Sequence, residues 1–414
     1  MAYADLGEYI DLLRARGMLV DISEPVSQDL EITEICDRTV KAGGPALLFH
    51  NVIGHTMPVL INAFGSRERM ALALGVPELS DAARRIEELV QARPPRSLKE
   101  GFDLAARLSE LRFVLPRKVS EGRCQEIVER QPDLNALPVL KCWPLDGGRF
   151  ITLPLVFTQS PDGAHKNIGM YRMQVYDGRT TGMHWHQHKV GASHYAQYAK
   201  LGRRMPVAAV LGGDPALIYA ATAPLPDAVD ELMFAGFLRR RALDLVKCTT
   251  NDLWVPADAE IVIEGYVEPG ELRREGPFGD HTGYYSLEDD YPVLHVTALT
   301  RARNAVYPTI VVGRPPAEDA WLGKTTERLF LPLLRINFPE IIDMNLPVEG
   351  GFHNLALVRI RKSHAPRARV AYGPQRGQMM LEKTIVCDED HDAEPADAVV
   401  GGNNARLSSS SGDR

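Results

Sequence analysis

The chain has 414 residues, enough for two or three domains at roughly 100–200 residues each. Hydrophobic residues make up 45% and charged residues 24%, an ordinary soluble composition. Lys plus Arg total 47 against 54 Asp plus Glu, a net charge of −7, which excludes a general nucleic-acid binder while leaving room for one basic phosphate pocket.

Leu6, Ile10, Leu13 and Leu19 give a helical apolar pattern from about Leu6 to Met18. The eight residues Met1–Glu8 lack a basic region followed by an apolar stretch, so no signal peptide is expected. A second helix is predicted over Leu30–Val40, stopped by Gly43-Gly44-Pro45, followed by strands at Ala46–His50 and Met57–Asn62 and helices at Arg67–Leu74 and Asp81–Ala92. Ala92-Arg-Pro-Pro-Arg96 marks a boundary. From Ile151 to Val312, short runs rich in Val, Ile, Thr and Tyr alternate with turn signals and predict an antiparallel β domain. Its expected strands are Ile151–Phe157, Ile168–Tyr176, Met183–His188, Val207–Leu211, Glu260–Val267, Val293–Leu299 and Thr309–Val312. A helix over Asp227–Arg241 interrupts it. A helix near Thr325–Leu334 and strands at Leu355–Ile360 and up to Cys387 follow. Residues 393–414 contain no aromatic residue and read as a disordered tail. The five cysteines are scattered without a CxxC, so neither a disulfide framework nor a structural zinc site is expected, and the expected compartment is the cytoplasm. No apolar run approaches the ~18 residues of a membrane span.

The richest stretch is Asn167-Ile-Gly-Met-Tyr-Arg172 followed, after Asp177-Gly178, by His184-Trp-His186-Gln-His188. Asp-Gly between β-like runs predicts a two-residue hairpin turn. Without a bulge, that turn sets Tyr171 opposite His184 and Asn167 opposite His188, on one face. Alternating His184, His186 and His188 read either as a metal site or as an exposed polar strand face. Arg172 reads equally as a surface arginine.

Glu275-Gly-Pro-Phe-Gly-Asp280-His281-Thr-Gly-Tyr-Tyr285 is a Gly/Pro-rich loop with two carboxylates five residues apart. Neighbouring carboxylates can split their pKa values so that one keeps a proton to donate; the bland alternative is a turn with solvated acids. Glu231 falls in the first turn of the predicted Asp227–Arg241 helix, where the helix dipole favours a carboxylate of no further function.

Taken in order with Leu30-Glu-Ile-Thr-Glu-Ile-Cys-Asp-Arg-Thr-Val-Lys-Ala-Gly-Gly-Pro-Ala-Leu-Leu-Phe49, these stretches resemble the UbiD family of prenylated-FMN-dependent decarboxylases, from Tyr3 to about Asp392. The resemblance implies an α/β and β mixed fold: an N-terminal α/β domain (1–115), a central split β-barrel of the flavin-reductase type (116–315) and a partial C-terminal α/β domain (316–392), with 393–414 as tail. It implies Mn²⁺ held by Asn167, His188 and Glu231 and bridged to the phosphate of prenylated FMN. The flavin would run along Met170, Tyr171, Arg172, His184, Trp185, His186, Gln187, Lys189 and Val190, with Lys383 near its phosphate. K⁺ beside the manganese would take the carbonyls of Ala220, Ala221 and Ala223. Arg172, Glu275 and Asp280 would be catalytic, Asp280 as proton donor; His281 is given no role.

The implied activity is reversible non-oxidative decarboxylation of an aromatic, 4-hydroxybenzoate-type acid, polyprenylated or not, in quinone biosynthesis. Asp280 and the following His-Thr-Gly-Tyr-Tyr resemble that branch. The implied partners are the aromatic acid, a flavin prenyltransferase supplying the cofactor, further copies of the chain in a homo-oligomer, and a membrane surface if the substrate is polyprenylated; nucleic acid is not among them. Val190 stands where many relatives carry glycine, and the family pattern is expected to stop near Asp392, which reads as a C-terminally truncated member. Three alternatives stay open: a decarboxylase of other phenolic or acrylic acids, a cofactor-binding but inactive homologue, and a flavin-free metalloenzyme built on His184, His186 and His188.

Overall fold

The computed structural model describes residues 2–90, 113–187, 189–225, 229–352, 354–361 and 383–388. The expected tail and the boundary at Ala92–Arg96 lie outside them. Near the N-terminus, the helix Leu6–Ala15 starts where the Asp5 carboxylate accepts the Glu8 amide at 3.0 Å, a side-chain cap on an otherwise unpaired donor. Its buried Leu6, Tyr9, Ile10 and Leu13 share one face at helical spacing. The helix ends sooner than its apolar pattern, because Leu19 opens a strand instead: Leu19–Ile22 pairs in parallel with Ala46–Phe49. Val59–Ile61 and Tyr307–Pro308 complete that four-stranded sheet.

The centre of the molecule is one nine-stranded sheet. Its strands are β1 (Ile127–Glu129), β2 (Arg149–Ile151), β3 (Leu155–Gln159), β4 (Lys166–Met170), β5 (Met173–Val175), β6 (Thr180–Gly182), β7 (Met205–Leu211), β8 (Ile261–Glu275) and β9 (Asp289–Arg301). The path runs β2-β5-β6-β9-β8-β7-β3-β4, with β1 on β9. Strand β4 ends the path, yet only Tyr171 and Arg172 separate it from β5 near the other end. Three chain steps span about 11 Å at most, so the sheet must curl until its two ends approach. This gives the mixed α/β chain around a curled, split barrel that the expected fold class calls for. Along β7, Val207, Ala209 and Leu211 enter one apolar core while Ala208 and Val210 enter another, so this strand is covered on both faces.

Helix α1 (Val190–Lys200) lies beside the seam, and α2 (Glu231–Arg239) packs on the outer core. Helix α3 (Glu318–Asn337) sends Leu322, Leu329 and Phe330 into the core that holds Tyr9, Phe64 and Tyr219. Its first residue, Glu318, accepts the amides of Asn62 and Phe64 at 2.8 and 2.7 Å, tying α3 to the chain just after the Val59–Ile61 strand. Beyond α3, Ile341–Asn345, Leu355–Ile360 and Lys383–Asp388 form a small sheet over their own core.

Three expectations are corrected. The turn at Asp177 holds three residues, not two: Tyr176 donates to the Thr180 carbonyl, and Val175 pairs with Thr181. The Asp177 carboxylate accepts the amides of Arg179 and Thr180, which draws Arg179 into the loop and slips the register by one. The expected long strand also breaks at Tyr171-Arg172. Asn167 pairs with Thr158 on β3, its expected partner His188 lies outside the described residues, and His184 donates its amide to Arg172, not Tyr171. Strand β6 stops at Gly182, so 183–187 is irregular rather than the strand expected there.

Candidate active site

The site forms where the seam between β4 and β5 meets the loop joining β8 to β9. Glu275 is the last residue of β8, paired with Asp289, and its side chain is fully buried. The loop after it folds back on itself through a Gly279–Tyr285 bridge. Asp146 pins it, accepting the Gly279 amide at 2.7 Å and the Trp143 amide at 2.8 Å. Gly147 donates to the Pro277 carbonyl at 2.8 Å, and a Cβ on Gly147 would collide with the Gly276 carbonyl. Overpacking of this kind costs about 1–3 kcal/mol. Gly147→Ala is thus expected to lower the melting temperature and to displace the loop, read by thermal melting and by limited proteolysis within 276–288; unchanged melting and cleavage would refute the close approach.

Arg172 sits at the seam, and all three of its guanidinium nitrogens are used. Nε donates to Glu275 Oε1 at 3.0 Å, Nη1 to Asp280 Oδ2 at 3.1 Å and Nη2 to Ser286 Oγ at 3.2 Å. Its carbon lies 4.5 Å from the Phe278 ring centroid, a cation–π contact that holds the guanidinium plane. The sequence-predicted trio Arg172, Glu275 and Asp280 therefore converges on one point. His184 joins it, with Nδ1 2.8 Å from Glu275 Oε1 and Nε2 3.1 Å from His186 Nε2. Tyr291 packs on the His184 ring with centroids 4.3 Å apart.

Burial works to raise the Asp280 pKa, but hydrogen bonds from the His281 ring and amide, with the charges of His281 and Arg172, outweigh it and hold the carboxyl at about 2. Asp280 is an anion in this arrangement. The His281 contact, at 2.7 Å from Nδ1 to Asp280 Oδ1, and the Ser286 contact were not anticipated. The adjacency of His281 to Asp280 was a visible signal; Ser286 carried none.

The expected cofactor and metal residues divide. Asn167 is buried on β4, its amide 3.5 Å from both Thr158 Oγ1 and Tyr171 Oη. Glu231 opens α2 behind the Asp230 cap and accepts the Ile168 amide at 3.2 Å, which brings it next to Asn167's strand. Burial pushes the Glu231 carboxyl up to about 7. Asp227, the expected helix start, and His188, the third expected metal ligand, lie outside the described residues, and no three His, Cys, Asp or Glu side chains cluster as a metal site among the described residues. A buried carboxylate and a weakly bonded buried amide are nevertheless the hard oxygen donors a Mn²⁺ ion takes, so the two residues fit the ion.

Tyr171 folds back over Gly169, where a Cβ would collide with its ring. Trp185 is buried, and its indole Nε1 has no hydrogen-bond partner among the described residues. Lys189 stands at the N-cap of α1, which has no side-chain cap, and burial lowers its pKa. An orphaned donor, an uncapped helix start and a desolvated ammonium suit a ring system carrying a phosphate. Met170 is half-buried, while His186, Gln187 and Val190 are exposed beside them. Lys383 opens the last strand. The Ala220, Ala221 and Ala223 carbonyls each accept a backbone amide, from Ala223, Met170 and Leu225, and keep a second lone pair each.

Comparison with known proteins decides the family. Three profiles match in order: the 3-octaprenyl-4-hydroxybenzoate carboxy-lyase N-terminal domain over residues 10–90, its Rift-related domain over 117–315 and its C-terminal domain over 320–402. The chain belongs to the UbiD family. This UbiD chain is therefore an enzyme of the carboxy-lyase class. The third match runs past Asp392, where the family pattern was expected to stop. An uncharacterised protein of Archaeoglobus fulgidus is 50% identical over 394 residues, 94% of this chain and 81% of the relative; one of Aquifex aeolicus is 46% identical over the same shares. Among solved structures, an evolved dimeric form of the UbiD-class enzyme HmfF from Pelotomaculum thermopropionicum, in complex with prFMN, superposes with a TM-score of 0.83 at 28% identity, covering 96% of this chain and 89% of that one. The vanillic acid decarboxylase of Sedimentibacter hydroxybenzoicus in closed form shares the fold, with a TM-score of 0.82 at 24% identity over 97% and 84% of the two chains. Among the described residues no helix is long and apolar enough to cross a membrane.

Proposed function

We propose that this UbiD-family chain catalyses the reversible, non-oxidative decarboxylation of an aromatic acid of the 4-hydroxybenzoate type, with prenylated FMN and Mn²⁺. The observation that carries this reading is Arg172 binding Glu275 and Asp280 at once, at 3.0 and 3.1 Å. The reaction must hold a substrate carboxylate, keep it oriented while the C–C bond breaks, and return a proton to the carbon left behind. Arg172 supplies the carboxylate-binding fork. Glu275, paired to Nε, fixes the fork's plane and leaves the outer nitrogens to exchange partners. A substrate carboxylate at Nη1 would take that nitrogen from Asp280 and set a like charge beside it. Both changes favour the protonated acid, and so turn Asp280 from an anion into a proton donor when substrate is bound.

Prenylated FMN supplies, when bound, the electron sink for the pair released as CO₂ leaves. Trp185, Tyr171 and Lys189 would hold it, and Asn167 and Glu231, with His188, would hold the ion beside its phosphate; K⁺ at the Ala220–Ala223 carbonyls would add charge there. A role in quinone biosynthesis, supply of the cofactor by a flavin prenyltransferase, homo-oligomer formation and membrane contact with a polyprenylated substrate belong to the same reading.

The test is production with a flavin prenyltransferase, followed by absorbance, metal analysis and CO₂ release from 4-hydroxybenzoate and its 3-alkenyl derivatives. The wild-type protein is expected to carry the flavin band and release CO₂. Asp280→Asn should keep the band and lose at least about 100-fold in turnover, the usual contribution of a general acid. Full turnover by Asp280→Asn, or a wild-type protein that binds flavin but releases no CO₂ from any aromatic acid, would overturn the reading.

A further inference from the structure

Decarboxylation consumes one proton per turnover, and Asp280 starts as an anion with none to give. A histidine contacts it directly. His281 turns its ring back onto its own neighbour, with Nδ1 at 2.7 Å and its backbone amide at 2.8 Å from Asp280 Oδ1. Arg172 occupies the other oxygen, Oδ2. Asp280 is therefore held between the group that meets substrate and a histidine on the opposite side.

The His281 ring also has contacts beyond the catalytic loop. It packs against Phe352, with centroids 5.6 Å apart, and its side chain remains 21% exposed. Asp319, the second residue of α3, acts on the ring by its charge, and its Oδ1 is sealed from solvent without a hydrogen-bond partner among the described residues. The charged groups acting on the ring are Asp280 from its own loop, Asp319 from α3 and Arg172 from the seam; Glu318 lies one residue behind Asp319 and is spent on the Asn62 and Phe64 amides. Two acids thus flank the imidazole against one guanidinium. Burial disfavours the imidazolium, but the Asp280 hydrogen bond and the Asp280 and Asp319 charges outweigh it and raise the His281 pKa. Burial in turn pushes Asp319 up to about 7, against the pull of His281.

We propose that His281, braced by Asp319, is the positioning residue that recharges Asp280 with a proton in each turnover. The inference deepens the proposed decarboxylation and rests on it. The balance is as follows. The bond from the ring carbon to the carboxylate breaks, CO₂ leaves, and the electron pair stays on the carbon side. The Asp280 O–H bond breaks as the C–H bond forms. The proton on Asp280 came from His281 Nδ1, which loses its positive charge in giving it up. The neutral ring keeps its Nε2 proton, so Nδ1 is the nitrogen that is recharged: the ring turns from Asp280 on its partly exposed side chain, takes a proton at Nδ1 from a solvent hydronium ion, and returns as the imidazolium that Asp319 stabilises. Net, one proton enters from solvent for each CO₂ released.

Two measurements test this. Histidine NMR on the flavin-free protein reads the His281 midpoint without needing catalysis. It is expected above the ordinary 6.5 and to fall by about half a unit or more in Asp319→Asn, as losing a nearby opposite charge requires. In the flavin-loaded enzyme, His281→Asn should lose about 10-fold or more in kcat with KM within about twofold, regain part of it with added imidazole, and lose the alkaline fall in kcat; general-base and general-acid partners act on this scale. Asp319→Asn should shift that alkaline limb to lower pH. An unmoved His281 midpoint in Asp319→Asn, or wild-type kcat and pH profile in His281→Asn, would overturn the relay while leaving the decarboxylase reading intact. An enzyme releasing no CO₂ at all would sink that reading, and the NMR result would still decide whether Asp319 and His281 are coupled.

Discussion

Arg172→Ala is expected to lose stability and decarboxylation together, and Arg172→Ala with Glu275→Gln to regain the first without the second. Glu275 has a fully buried side chain, and its Oε2 already lacks a partner among the described residues. Its Oε1 is shared between Arg172 Nε and His184 Nδ1, at 3.0 and 2.8 Å. Removing the guanidinium leaves a buried carboxylate facing one imidazole. Breaking one side of a buried ion pair costs about 3–5 kcal/mol, most of it from the charge left behind. Replacing Glu275 by the neutral, isosteric Gln removes that stranded charge, so the double variant should melt close to wild type.

Turnover is expected to behave differently, because the proposed reaction needs the fork itself. Without Arg172 the proposed carboxylate-binding fork beside Asp280 is gone, and kcat/KM should fall by about 1,000-fold or more, roughly 4 kcal/mol of lost transition-state binding. Arg172→Lys should not rescue it, since an ammonium cannot reproduce three fixed contacts. Thermal melting and CO₂ release across the single and double variants check both halves. A single variant as stable as wild type, or a double variant that turns over, would show that the trio is only structural.

How much of this was legible in the sequence depends on where the deciding interactions lie. The first helix, the Ala46–Phe49 strand and the apolar stretches Glu260–Val267 of β8 and Val293–Leu299 of β9 were readable because local apolar period decides them, whereas the pairing of β8 with β9 was not. Helix α1 was not: only Gly191, His194 and Tyr198 are buried along it, and small residues between them blur the period. The helix Pro215–Ala220 is buried at every position, so its apolar run carried no helical stripe. The register slip at Asp177 came from a side-chain oxygen taking two amides, an outcome that Asp-Gly alone does not specify. Arg172, Glu275 and Asp280 were nameable from motif resemblance, yet their convergence depends on the break at Tyr171-Arg172 that curls the sheet. That break is a tertiary event, and hairpin pairing alone does not contain it. His281 illustrates the remaining limit: adjacency in sequence was visible, but the carboxylate of Asp319, 38 positions later, was not.

Glu231 should show two effects of opposite sign. Burial pushes its carboxyl from the model-peptide 4.5 up to about 7. For an acid raised in the folded state, the penalty is absent below about pH 4.5, grows between there and pH 7, and is complete above it, reaching about 3 kcal/mol at most for a shift of this size. Without metal, Glu231→Gln is therefore expected to melt above wild type at pH 8 and level with it near pH 4.5, since Gln can still accept the Ile168 amide that Glu231 accepts at 3.2 Å. Mn²⁺ is expected to reverse the order. A divalent ion held at the proposed site by Asn167 and Glu231 would turn the buried charge into a ligand, and binding to the folded state alone raises stability with metal concentration. Wild type should gain several degrees with Mn²⁺ at pH 8. Glu231→Gln, offering a neutral oxygen, should bind at least about 100-fold more weakly, a loss of roughly 2.7 kcal/mol, and gain little. A purely structural carboxylate at the start of α2 would predict the contrary: Glu231→Gln no more stable than wild type without metal, and no difference between the two when Mn²⁺ is added.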